Sequence, residues 1–172
     1  MKKLTKLSLA LLVLFTVAAC KKNDDGGNGG AAGDGVMQAK ISGTDWTSIK
    51  MSTSAQYVAM AKSLTILGVD MGGKTVNIII NNYDGTNGTW QIPNSVGSIG
   101  VVASYIEASL GVSKTWVAPY SGSGVIGEIK ISEFSKTGNV KGTFKFKARN
   151  QTDNTNFKDV TDGSFNVAVK SF

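Results

Sequence analysis

The sequence predicts an all-β domain: a single antiparallel β-sandwich, or a flattened barrel, of about nine or ten strands after a disordered tether. Three observations carry the prediction. From Val36 onward apolar residues alternate with polar ones at period two, and no 3.6-residue period runs over a helical length. Glycine is abundant at 21 residues and proline scarce at 2, with Gly, Asn, Asp and Ser clusters punctuating short β-branched runs. The chain has one cysteine in 172 residues, so packing and backbone hydrogen bonds, with no disulfide, hold a domain large enough to bury a core.

The expected strands follow in order. Met37–Ile41 and Trp46–Met51 flank a Gly43-Thr44-Asp45 turn, and Gln56–Ala61 is a short strand. Leu64–Asp70 and Lys74–Asn81 flank Met71-Gly72-Gly73, a hairpin signal. Thr89–Ile92 stops at Pro93. Gly100–Ser109 and Lys114–Val117 flank Gly111. Val125–Phe134 and Asn139–Arg149 flank Ser135-Lys136-Thr137-Gly138, and Val160–Lys170 comes last. Asn139–Arg149 has the clearest pattern: Val140, Gly142, Phe144, Phe146 and Ala148 share one face, and four lysine or arginine side chains share the other with Thr143. Because successive side chains on a strand point to opposite faces, one face is core and one is wet. The same logic places Val125, Ile129 and Ile131 inside with Glu128, Lys130 and Ser132 outside, and Phe165, Val167 and Val169 inside with Ser164, Asn166 and Lys170 outside. Lys74–Ile80, apolar on both faces at Ile78 and Ile79, reads as the central strand.

Ahead of this domain, residues 1–19 read as a secretion signal. Lys2, Lys3 and Lys6 form a cationic start, Leu7–Phe15 an apolar run too short to span a membrane. Val17-Ala18-Ala19-Cys20 then resembles the lipobox of bacterial lipoproteins, in which the cysteine is lipidated and becomes the mature N-terminus. Two or more acyl chains anchor stably, at about 0.8 kcal/mol per buried methylene. Residues 20–35 are the lipidated cysteine and a Gly-rich tether, with an expected end-to-end distance of roughly 20 Å. Within the tether Lys21, Lys22, Asp24 and Asp25 resemble the surface-export signal of Bacteroidota lipoproteins, which implies the outer face of the outer membrane. Residues 36–172 are the all-β domain. Loss of the three signal lysines lowers the net charge from +6 to +3, too weak a balance to imply nucleic acid.

The order of motifs along the domain adds a resemblance. Lys40-Ile41-Ser42-Gly43-Thr44-Asp45-Trp46, Gly88-Thr89-Trp90, Gly127-Glu128-Ile129-Lys130-Ile131, Lys141-Gly142-Thr143-Phe144-Lys145-Phe146 and Thr161-Asp162-Gly163-Ser164-Phe165 together resemble a family of small Bacteroidota outer-membrane lipoproteins with an uncharacterised all-β domain. The resemblance spans Met37 to Val169. It implies an extracytoplasmic β domain and supplies no catalytic residue.

Most catalytic classes lack their parts. With no histidine, Ser-His and Cys-His nucleophile systems are missing, and the common zinc sites need Cys or His. Most of the acids outside the tether sit in expected turns or on wet faces, so the chain reads as non-catalytic, without metal or cofactor. Asn81–Gly88 and Asn150–Asn156 offer oxygen ligands to calcium but lack EF-hand spacing; they read as plain loops. Lys130, Lys141, Lys145, Lys147 and Arg149 form a cationic face suited to phosphates or to solvent. Among the aromatic residues, Trp116 and Tyr120, beside Pro119 and a Gly/Ser loop, are the expected exposed pair for stacking on sugar. Two readings follow: a surface binding module for glycan or an envelope protein, or a structural or envelope-interaction lipoprotein without a small-molecule ligand. Exposed coplanar rings favour the first, buried rings the second.

Overall fold

A computed structural model of the protein describes residues 30–93, 100–109, 111–121 and 125–172. Residues 1–29, with Cys20, Lys21, Lys22, Asp24 and Asp25, lie outside them. The described chain is all-β. Its strands are β1 (Val36–Ile41), β2 (Thr44–Thr47), β3 (Thr53–Val58), β4 (Ser63–Val69), β5 (Lys74–Asn81), β6 (Gly88–Ile92), β7 (Val101–Ser109), β8 (Val112–Ala118), β9 (Gly127–Phe134), β10 (Asn139–Asn150) and β11 (Phe157–Ser171). Each expected segment corresponds to one strand, so the sheet has eleven strands where about nine or ten were expected. The expected Trp46–Met51 strand stops at Thr47, and a short 3-10 turn at Lys50–Ser52 leads into β3.

The strands form one mixed sheet in the order β2-β1-β11-β3-β4-β5-β7-β8-β10-β9-β6, with a further pairing of β11 to β10. The expected all-β architecture is present as a single mixed sheet whose pairings return on themselves, from β11 through β3, β4, β5, β7, β8 and β10 back to β11. The two longest strands make the closure. β10 pairs with β9 over its first half and with β8 at Arg149 and Asn150, while β11 lies along its other edge. On its far edge β11 meets first β1, antiparallel, and then β3, parallel. β11 bends where Asp162 takes a left-handed conformation (φ 52°), and the register to both β1 and β10 shifts there. β5 is the middle strand of the order, as its two-sided apolar pattern requires.

The inner face holds one core. Val76, Ile78 and Ile80 of β5 are buried against Leu64, Ile66 and Ala103, and Val140, Phe144, Phe146 and Ala148 of β10 are buried as alternation predicts. Tyr57, Tyr83, Trp90 and Phe134 meet edge to face at centroid distances of 5.1–5.9 Å. Phe144 stacks on Phe146 at 6.3 Å and on Phe165 at 6.2 Å.

Three placements differ from expectation. Val125 precedes β9 and is 62% exposed, because inward alternation starts only where pairing starts, at Gly127. Ser164, expected on the wet face, is buried. The cause is the third difference: the last part of the expected tether is ordered against β11. Gly30 O accepts hydrogen bonds from Ser164 Oγ at 3.0 Å and from Gln38 Nε2. Gly35 N donates to Asn166 O at 2.7 Å. Asp34 pairs with Lys50 Nζ at 2.8 Å and accepts from Asn139 Nδ2 at 3.0 Å. Residues 30–35 thus belong to the domain. Hydrogen bonds from Gly35 N, Ser164 and Gln38 hold this strap to the sheet, and Asp34 fixes its end.

Candidate binding surfaces

The sugar-stacking pair does not form. Along β8, Trp116 and Ala118 point inward while Thr115 and Val117 point outward, so Trp116 is 2% exposed. Its indole Nε1 donates to Asn156 Oδ1 at 2.9 Å, its ring lies 5.7 Å from that of Tyr105, and Lys158 Nζ sits 5.0 Å from its centroid. Tyr120 is half-buried between the Phe157 ring at 5.6 Å and the Arg149 guanidinium at 5.1 Å. Burial, then the nearby Asp159, push its phenol pKa up, against the pull of Arg149. Trp46 is also buried, donating to Lys74 O at 3.3 Å. The expectation of Trp116 and Tyr120 as exposed, coplanar ligand rings is corrected: the first is core and the second is wedged between neighbours.

A polar cleft lies just beyond the Tyr105–Trp116 pair, and sequence reasoning missed it. Lys74, Glu107 and Lys158 occupy inward positions at strand ends, next to Asp45, Asp70 and Trp46, around a hollow of about 100 Å³. Lys158 Nζ pairs with Glu107 at 3.2 Å, and the Tyr105 hydroxyl donates to Glu107 Oε1 at 3.1 Å. Burial works to raise the Glu107 carboxyl, but the hydrogen bonds from Lys158 and Tyr105 outweigh it and the net shift is downward. Asp70 Oδ1 accepts from the Gly72 and Lys74 amides, both at 2.8 Å, which closes the β4–β5 turn. The cleft is small beside the roughly 300–1,000 Å³ of ligand pockets, and Glu107 and Lys158 in it already satisfy each other. Charged residues at inward parity near strand ends were the signal available. A larger hollow of about 510 Å³ lies beside Gly30–Ala32 on the outer face, lined by Ser132, Lys141, Thr143 and Asn166, with no tryptophan or tyrosine in its wall.

The cationic face is laced with acids. Lys141 pairs with Glu133 at 2.8 Å, Lys145 with Glu128 at 3.0 Å and Lys147 with Asp159 at 4.0 Å. The two Asn/Asp-rich loops turn their oxygens inward: Asp84 Oδ1 accepts from Thr86 N and Oγ1, and Asp153 Oδ1 from Thr155 N and Oγ1. These are side-chain-closed turns.

Such contacts fix the response to pH. Asp34, Asp84, Glu128 and Asp153 are held below their ordinary values by hydrogen bonds, chiefly from Lys50, Thr86, Lys145 and Thr155 respectively, and Glu107 is lowered as described. A carboxyl depressed on folding stabilises above its unfolded pKa, and the stabilisation is lost as pH falls through the folded value. With no histidine in the chain, the thermal midpoint should stay level from about pH 8 to about pH 5 and fall below about pH 4. Calorimetry across that range measures it. A fall between pH 7 and 5 would contradict these assignments.

The described residues form an all-β domain with Trp46 and Trp116 in its core and several ion pairs across its outer face. A family model described as a domain of unknown function (DUF6252) matches residues 33–168, and the chain belongs to that family. The match begins inside the strap, which agrees with residues 30–35 being part of the domain. Comparison with curated proteins and with solved structures gives no match in either case.

Proposed function

We propose that the protein is a lipid-anchored envelope lipoprotein of the outer membrane, displayed at the cell surface, that works without catalysis through contact with another protein. The observation that supports the non-glycan part is the burial of Trp116 and Trp46, two of the flat rings on which a sugar could stack. The rest is supported by the sequence: Val17-Ala18-Ala19-Cys20 for the anchor and Lys21, Lys22, Asp24 and Asp25 for display. Ten residues, 20–29, then separate the lipid from the described domain, and a chain of that length reaches at most about 35 Å. That holds the domain near the membrane, where a partner in an envelope assembly is at hand.

Labelling with an alkyne fatty acid tests the anchor. Wild-type protein should take label, and Cys20→Ser should lose it entirely and leave the membrane fraction. Absence of label on the wild type would end the lipoprotein reading. A glycan array tests the choice of ligand class: the folded domain should bind no glycan, and saturable glycan binding would restore the sugar-binding reading.

A further inference from the structure

Methionine is placed in this fold in two unlike ways. The chain has five methionines, and four of them lie among the described residues. Met37 on β1 is fully buried. The other three stand in turns: Met51 in the 3-10 turn before β3, Met60 between β3 and β4, and Met71 between β4 and β5. They are 98%, 99% and 90% exposed, which makes them the three most exposed large hydrophobic side chains among the described residues; the next, Phe172, is 70% exposed. Turn residues are ordinarily small or polar, and burial cannot be why these side chains are apolar. What sets methionine apart from leucine at such a place is its thioether.

We propose that Met51, Met60 and Met71 are modification sites at which the domain takes oxygen from peroxides, each thioether becoming a sulfoxide while the fold stays intact. The inference goes beyond the proposed function and stands on the fold, whether or not the chain is lipidated. The step needs only a peroxide as co-reactant. A lone pair of Sδ attacks one peroxide oxygen, and the S–O bond forms as the O–O bond breaks. With hydrogen peroxide the other oxygen leaves as water, carrying both protons. The sulfur is oxidised by two electrons and the peroxide is reduced by two. Exposure supplies the access that the attack requires. The fold tolerates the product because the turns close without the methionine side chains. Ser52 N donates to Ile49 O at 3.0 Å, Lys62 N to Ala59 O at 3.2 Å and Gly73 N to Asp70 O at 3.2 Å, and Asp70 Oδ1 holds the Gly72 and Lys74 amides. Met37 is the opposite case. Its Sδ packs so close to Gly68 that a Cβ on that glycine would lie 2.9 Å from it. An added oxygen has no room there, and a polar sulfoxide would disrupt the core, so Met37 is oxidised only after unfolding. No cysteine lies among the described residues to compete for the oxidant. Docking of a partner is the other use of exposed methionine. Met60 and Met71, however, lie beyond opposite ends of β4, a strand of seven residues and hence about 24 Å of chain, so a single small contact does not cover all three.

The test treats the purified full-length chain with hydrogen peroxide and follows each methionine by peptide mass spectrometry. Met51, Met60 and Met71 should each gain one oxygen at a rate within about threefold of that of an unstructured methionine peptide, and Met37 should react at least about a hundredfold more slowly, catching up only in denaturant. The thermal midpoint of the protein oxidised at all three sites should stay within about 3 °C of the untreated protein, as for changes at exposed positions. A variant carrying Met51→Leu, Met60→Leu and Met71→Leu should keep that midpoint and take up no oxygen in these turns. Protein recovered from peroxide-treated cells should carry the three sulfoxides with Met37 untouched. Met37 reacting as fast as the other three would overturn the proposal, and so would a sharp fall in the midpoint on their oxidation. So would methionines that react in the purified protein but stay reduced in peroxide-treated cells, the pattern expected where a partner covers them.

Discussion

Phe144→Ala should destabilise the domain by about 3–5 kcal/mol, the range for a fully buried phenylalanine, out of a typical total of about 5–15 kcal/mol. Phe144 is 3% exposed and stacks on both Phe146 and Phe165, so its loss leaves a cavity where β10 and β11 join, the pair that closes the sheet. Its neighbour Lys145 points to solvent and pairs with Glu128 at 3.0 Å. An exposed pair contributes little, so Lys145→Ala should stay within about 0.5 kcal/mol of wild type. Urea denaturation of residues 30–172 measures both. Equal damage from the two substitutions would mean that the register of β10 is wrong.

Gly142→Ala is the second large effect, and it arises from closeness. Gly142 sits between Ile131 of β9 and Phe165 of β11, where the register to β9 shifts. A Cβ there would overlap the carbonyl oxygen of Lys130 and lie 2.5 Å from Phe165 Cζ. A flexible side chain can move aside; the backbone of a strand paired on both edges cannot. Overpacking costs typically about 1–3 kcal/mol and sometimes more, and this position should fall at the top of that range. Gly33→Ala is the control, since its Cβ would meet only Val36 Cγ2 at an ordinary 3.7 Å. The denaturation midpoint should drop sharply for the first and hardly at all for the second. A neutral Gly142→Ala would show that β9 and β10 approach less closely than described.

Much of this was legible in the sequence. Alternation located each strand and assigned the inner face of β10 correctly, because inward and outward residues on that strand differ in charge. It failed where chemistry and direction part company. On β8 the outward Val117 is as apolar as the inward Ala118, so the pattern did not fix which way Trp116 points, and the neighbouring Pro119 suggested an exposed loop. The parallel pairing of β3 with β11 joins segments more than a hundred residues apart, and period two says which face a residue takes but not which edge it meets. The strap at residues 30–35 has glycine and alanine where a core signal would need larger side chains; what holds it is backbone hydrogen bonding and Asp34. Lys74, Glu107 and Lys158 were readable only after their strands were known to converge at one end.

The placement of Trp116 decides between a sugar-stacking site and a domain that acts through its outer surface. Iodide quenching of tryptophan fluorescence in a Trp46→Phe, Trp90→Phe variant measures that placement directly, with Trp116 as the one remaining indole. A ring 2% exposed and hydrogen-bonded to Asn156 should be almost unquenched in the folded protein and become fully quenchable in denaturant. Quenching in the folded state close to that of free indole would contradict the account and return Trp116 and Tyr120 to the surface as a binding pair.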